Sequence, residues 1–134
     1  MPTLVDSNVL IDVLGPPGPW TDWSFEAIRQ AQDADTLLIN PIVYGELGVG
    51  FDSIESLDAA LPSPMFRRED LPYLAAYLAG KCFIDYRRRG GTRTSVLPDF
   101  YIGAHAAVAD YRLLTRDASR YRTYFPRLEL IAPD

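Results

Sequence analysis

Lysine is nearly missing from this chain, since Lys81 is the only lysine among 13 basic residues. Cysteine is as scarce: Cys82 stands alone, which excludes an intramolecular disulfide and, with an acidic rather than basic start, leads us to expect a cytoplasmic protein. His105 is the single histidine, so no H-E-x-x-H helix and no histidine-rich zinc site can be built. There is no phosphate-binding glycine loop of the Walker type and no G-x-G-x-x-G, which removes the usual support for nucleotide-dependent transfer and dinucleotide chemistry. No apolar run approaches the roughly 20 residues of a membrane helix, and no membrane partner is expected. Internal repeats and low-complexity tracts are lacking too.

What is present is a chain of 134 residues, 48% hydrophobic, of a size to form one domain over 1–134 with a substantial core. The net charge of −5 is unevenly spread. Residues 1–80 hold 3 basic and 12 acidic side chains, a balance of −9, whereas residues 81–134 hold 10 and 6, a balance of +4. The excess of arginine suits bidentate contact with phosphates. A bias in codon composition would give the same ratio.

Short apolar runs alternate with helical patterns along the chain. Thr3 to Val5 reads as a buried strand ending at Asp6, after which Ser7 or Asn8 is placed to cap a helix carrying Val9 and Leu10. Gly15-Pro16-Pro17-Gly18-Pro19 must be a break, followed by a helix to about residue 33. Leu37-Leu38-Ile39 is a second strand, and Asn40-Pro41 starts the next helix as cap and first helical residue. A short helix is predicted over 53–61 and a short edge strand over 65–67. The clearest amphipathic helix then runs from an Asp70 cap through Leu71, Leu74, Ala75, Leu78 and Cys82 to Gly90-Gly91. A helix over 97–111, a strand at 113–115, a helical turn at 117–121 and a last strand at 128–131 complete an α/β pattern. Such alternation implies a parallel sheet with right-handed crossovers. Trp20, Trp23, Phe25 and Phe51 are more aromatic than a loop and early helices require, and core packing is expected for most of them; His105 lies in an alanine-rich helix as a packed or solvent-facing residue.

Four acids occupy comparable places. Asp6 and Asp117 follow strands, Glu46 lies in the helix after the second strand, and Asp99 opens a helix. Each alone is equally a surface residue or a cap, but all four belong to the carboxyl edge of the sheet, where open α/β sheets hold their chemistry. Carboxylates converging there repel unless a cation neutralises them, and hard divalent ions take oxygen ligands. Mg2+ or Mn2+ is the natural occupant, leaving room for a phosphate and a water. Asp12, one and a half turns beyond Asp6, reads as solvated.

Four stretches in series resemble the PIN domain, and within it the VapC-type toxins of toxin–antitoxin pairs. They are Val5-Asp6-Ser7-Asn8-Val9-Leu10-Ile11-Asp12, Asn40-Pro41-Ile42-Val43-Tyr44-Gly45-Glu46-Leu47, Pro98-Asp99-Phe100-Tyr101-Ile102-Gly103-Ala104-His105-Ala106, and Leu113-Leu114-Thr115-Arg116-Asp117 with Tyr121 and Phe125 beyond it. The resemblance implies a three-layer α/β/α fold with a sheet of order 3-2-1-4-5. It also implies Asp6, Glu46, Asp99 and Asp117 as catalytic metal ligands, directly or through water, with Ser7, Asn8 and Thr115 supporting the carboxylates or the phosphate. The implied activity is that of a Mg/Mn-dependent endoribonuclease, in which a metal-bound water attacks the phosphodiester in line and leaves a 5′-phosphate. A VapB-like antitoxin, docking near the early helices with a basic residue in the acidic pocket, is implied as partner, as are a homodimer and a toxin–antitoxin hetero-oligomer. Gly103 stands where many members have alanine and Tyr121 where many have phenylalanine; residues 51–95 carry no diagnostic motif.

RNA approaching an acidic rim needs flanking cations. Arg87, Arg88, Arg89, Arg93, Arg116, Arg120 and Arg122 are the candidates, though they serve equally to solvate a helix end and a loop. Two other readings stand beside the nuclease. One is a receiver-like or haloacid-dehalogenase-like domain phosphorylated on Asp6, which Asn8 and the scarcity of lysine weaken. The other is an inactive PIN-like RNA-binding module, against which all four acids speak.

Overall fold

Successive residues of a strand point to opposite faces, so a strand buried at every position needs cover on both sides. Leu4, Val5, Leu37, Leu38, Ile39, Leu113 and Leu114 meet that condition, each with at most 1% of its surface exposed. In the computed structural model, which describes residues 1–133, they form the centre of a five-stranded parallel sheet. The strands are β1 (Thr3–Val5), β2 (Leu37–Ile39), β3 (Phe66–Arg68), β4 (Arg112–Leu114) and β5 (Leu130–Ile131). Their order is β3-β2-β1-β4-β5, the 3-2-1-4-5 arrangement expected above. Both neighbours of β1 are parallel to it, with Thr3 opposite Leu37 on one side and Val5 opposite Leu114 on the other.

Seven helices flank the sheet among the described residues: α1 (Ser7–Leu14), α2 (Thr21–Ala34), α3 (Pro41–Gly48), α4 (Ile54–Ala60), α5 (Tyr73–Arg88), α6 (Pro98–Ala109) and α7 (Ser119–Tyr124). None is long and apolar enough to cross a membrane. Side-chain caps set the starts of α1, α3 and α4. Asn40 caps α3 by accepting from the Val43 amide at 2.9 Å, with Pro41 in the first turn. Ser53 caps α4 in the same way.

Two expected caps are corrected. Asp6 itself caps α1, accepting from the Ser7 amide, so the cap lies one residue before the expected Ser7 or Asn8. Asp70 does not cap α5: Pro72 holds an extended conformation and the helix begins at Tyr73, too far along for the Asp70 side chain to reach its first amides. The buried face of α5 is the expected one except at Leu74. Ala75, Ala79 and Cys82 face inward, whereas Leu74 is 67% exposed. The reason lies in α6, whose Ala104 and Ala106 are fully buried, so two helices bearing small residues approach closely and leave Leu74 turned outward, while Leu78, Phe83 and Tyr86 pack against the core. Of the early aromatics, Trp23 and Phe51 pack against the core, while Trp20 and Phe25 stay exposed because α2 turns its Ala27, Ile28 and Ala31 inward instead.

His105 is fully buried, and its tautomer follows from its neighbours. Asn40 uses Oδ1 as the helix cap, so its Nδ2 donates to His105 Nδ1 at 3.0 Å. The imidazole proton therefore sits on Nε2, which donates to Glu69 Oε2 at 3.1 Å, while Tyr111 donates to the other oxygen at 2.9 Å. Burial holds the His105 pKa below its ordinary value, so the ring is neutral. This network ties α6 to the start of α3, the two helices that carry Asp99 and Glu46.

Candidate active site

The sheet order reverses at β1 and β4, and a crevice at the carboxyl ends of such strands is the expected ligand position. Asp6 stands there, joined to β4 by its amide, which donates to the Leu114 carbonyl at 2.8 Å. Only 3% of Asp6 is exposed. Its Oδ1 accepts from the Ser7 amide at 2.8 Å, and its Oδ2 accepts from Thr115 Oγ1 at 2.8 Å and from the Tyr121 hydroxyl at 2.9 Å. Asn8 Nδ2 completes the surround, donating to Thr115 Oγ1 at 3.3 Å, while Asn8 Oδ1 accepts from the Arg116 amide at 3.0 Å.

Despite these donors the Asp6 pKa is pushed up to about 6, chiefly by burial and further by the negative charge of Asp99. Glu46 is raised for the same two reasons, burial first and Asp99 after it, opposed by a 2.8 Å hydrogen bond from Ser7 Oγ. Ser7 thus holds two carboxylates, one through its amide and one through its hydroxyl. Tyr121 is raised well above its ordinary value by burial and by Asp6, Asp99 and Glu46, so it remains a protonated donor. Three carboxylates therefore share one electrostatic field, in which the charge of Asp99 makes the charged states of Asp6 and Glu46 costlier.

Asp99 enters from the first turn of α6, behind Pro98, and accepts from Arg120 Nη1 at 3.1 Å. Asp117 is placed differently. Its amide folds back on Thr115 Oγ1 at 3.2 Å, and this tight turn leaves its exposed carboxylate with Ser119 Oγ at 3.4 Å. Among the described residues no three His, Cys, Asp or Glu side chains close on one point as a preformed metal-binding group. The donor chemistry of Asp6, Glu46 and Asp99, oxygen only and mutually repelling, nevertheless fits a hard divalent cation.

The arginines divide into two groups. Arg116 is engaged within the fold: its Nε donates to Asp12 Oδ2 at 2.8 Å and its guanidinium lies 5.7 Å from the centre of the Trp20 ring. Asp12 also accepts from Ser24 Oγ at 2.7 Å and its side chain is only 12% exposed, so it is an internal anchor and not the solvated residue expected. Its place against α2 decides this, which residue spacing within α1 does not reveal. Arg87 donates to the carbonyls of Gly91 and Arg93, Arg89 pairs with Asp85, and Arg120 pairs with Asp99. Among the described residues, Arg88, Arg93 and Arg122 are exposed and form no ion pair.

No protein-family model matches this chain, and no curated protein does. Solved structures do. A chain in the crystal structure of VapBC2 from Rickettsia felis bound to a DNA fragment from their promoter superposes with a TM-score of 0.75 at 18% identity, over 100% of both chains. VapBC-1 from nontypeable Haemophilus influenzae gives 0.73 at 18%, over 98% of each. The chain has the PIN fold of VapC-type proteins. VapBC from Salmonella typhimurium, bound to DNA, gives 0.70 at 19% over 98% of each. Identities this low carry the PIN architecture and no more, so the roles of the rim residues rest on their own chemistry.

Sequence reasoning missed two contributors to this PIN-fold rim. The Tyr121 hydroxyl on Asp6 was signalled only by a tyrosine where the resemblance has phenylalanine. Gly103 lies beneath it: a Cβ at this position would come within 2.5 Å of the Phe125 ring and 3.0 Å of the Tyr121 ring. The absence of a side chain lets both aromatics settle onto α6, and so lets Tyr121 reach Asp6.

Proposed function

We propose that this protein is a Mg2+- or Mn2+-dependent endoribonuclease, the VapC-type toxin of a type II toxin–antitoxin module, hydrolysing RNA phosphodiesters. One observation carries the reading: Asp6 and Glu46, buried and half-buried at the carboxyl edge by the point of strand reversal, have their proton affinity raised by burial and by the negative charge of Asp99 beside them. Carboxylates kept in mutual repulsion at a crevice are arranged for a cation. A bound divalent ion supplies Lewis-acid activation of the phosphodiester and of water. Asp6 Oδ1, with a single hydrogen bond, retains acceptor capacity for such an ion, and Glu46 and Asp99 supply further oxygens. Asp117, at the margin, is suited to hold it through water.

Ser7, Asn8, Thr115 and Tyr121 act on the carboxylates and not on the substrate: they fix the Asp6 and Glu46 geometry and leave little to reorganise when charge develops. Arg88, Arg93 and Arg122 are free to hold the RNA backbone, with Arg87 and Arg89 shaping the helix end beside them. A phosphoaspartate role for Asp6 fares worse, because Asn8 stands where a phosphatase would carry a second aspartate and the single lysine, Lys81, is exposed on α5 over the Tyr77 ring. An antitoxin partner and a toxin–antitoxin hetero-oligomer belong to the same reading, supported by the VapBC complexes and by a toxin–antitoxin complex from Klebsiella pneumoniae in each of which a chain shares the fold; a homodimer belongs to it as well.

Incubating labelled RNA with the purified protein tests it. Cleavage is expected with Mg2+ or Mn2+, and its loss with a chelator or in Asp99→Asn. Cleavage that survives both would overturn the metal-dependent reading.

A further inference from the structure

Asp99 has 34% of its side chain exposed, and of the clustered carboxylates it is the one with a cation already in contact. That cation is Arg120, from the helix that also sends the Tyr121 hydroxyl to Asp6. Two consecutive residues of α7 therefore address two of the three carboxylates, one with a neutral proton donor and the other with a permanent positive charge.

We infer that Arg120 is the internal counter-ion of the cluster, and that a divalent cation must displace it from Asp99 in order to bind. The inference rests on the metal-dependent reading above. An arginine cannot lose its charge at any accessible pH, so it offsets the repulsion among Asp6, Glu46 and Asp99 under all conditions in which the ion is absent. An arriving cation meets two obstacles that act in the same direction. It must break the Asp99–Arg120 pair, and it must sit beside a residual positive charge. The pair is partly exposed, with Arg120 at 41%, so screening limits the effect to roughly a two- to fivefold weakening of affinity. Arg120 thereby sets the ion concentration at which the site fills. It acts as a positioning residue for Asp99 and need not be a contact to RNA.

Calorimetric titration of Mn2+ into the full chain, free of RNA, tests this without recourse to activity. Arg120→Gln is expected to bind Mn2+ roughly two- to fivefold more tightly than the wild type, and Arg120→Lys close to the wild type, because it keeps the charge. The gain in Arg120→Gln should shrink as salt rises from about 50 to about 500 mM. Equal or weaker binding by Arg120→Gln, in a protein whose Mn2+ affinity still falls on Asp99→Asn, would overturn the inference alone. Absence of Mn2+ binding in every variant, or full binding by Asp99→Asn, would overturn the metal-dependent reading and the inference with it.

Discussion

Asp6 should be a residue that the metal-free protein folds better without. Its pKa stands at about 6 against an ordinary 3.8, with burial as the leading cause. The folded protein holds the Asp6 proton to higher pH than the unfolded chain does, so folding takes up a proton between about pH 4 and about pH 6. Stability is therefore lost as pH rises through that window, and above it the full cost of the buried charge is present. A displacement of this size corresponds to about 3 kcal/mol. Asp6→Asn removes the charge but also weakens the hydrogen bonds from the Ser7 amide and from the Thr115 and Tyr121 hydroxyls, the latter two of which can rotate to meet an amide. A net gain of about 1–2 kcal/mol remains, or roughly 3–10 °C in melting temperature for a domain of this length. Melts of wild type and Asp6→Asn in chelator, from about pH 4 to about pH 8, should show curves that cross, with the variant about 1–2 kcal/mol below the wild type at the acid end and above it at neutral pH. Added Mn2+ should then raise the wild type and leave the variant nearly unmoved. A variant less stable than wild type at neutral pH, or an offset that does not change with pH, would refute the reasoning.

Two further outcomes follow from the same contacts. Gly103→Ala places a methyl group against the Phe125 and Tyr121 rings and should cost about 1–3 kcal/mol in a denaturant melt, with part regained in the Phe125→Leu background; an unchanged midpoint would contradict the packing. Alanine at Arg88, Arg93 or Arg122 should weaken RNA binding in chelator and lower its salt slope by about one each. Arg116→Ala should instead lower the melting temperature by loosening Asp12 from β4's following turn, and a fluorescence-anisotropy salt series giving the reverse pattern would refute this division of the arginines.

Much of this is legible in the sequence. Buried runs such as Leu4-Val5 and Leu37-Leu38-Ile39 are apolar at every position, and that is how a parallel strand covered on both faces must read. Asn40-Pro41 marks the start of α3 because capping and proline chemistry are local. The failures fall where a neighbour in space decides. Asp70 resembles a cap, yet Pro72 moves the helix start beyond it, and Leu74 follows the apolar period but is turned out by the close fit of α5 on α6.

The sequence by itself determined the alternation of strands and helices and the set of acids at helix and strand ends, since propensity, periodicity and capping act within a few residues. Only the tertiary structure decided which acids share a field. It set Asp6 beside Thr115 by pairing β1 with β4, brought Glu46 to Ser7 across 39 residues and Tyr121 to Asp6 across 115, and left Asp117 at the margin. Electrostatic coupling depends on distance through space and on burial, and neither quantity exists until the chain has packed.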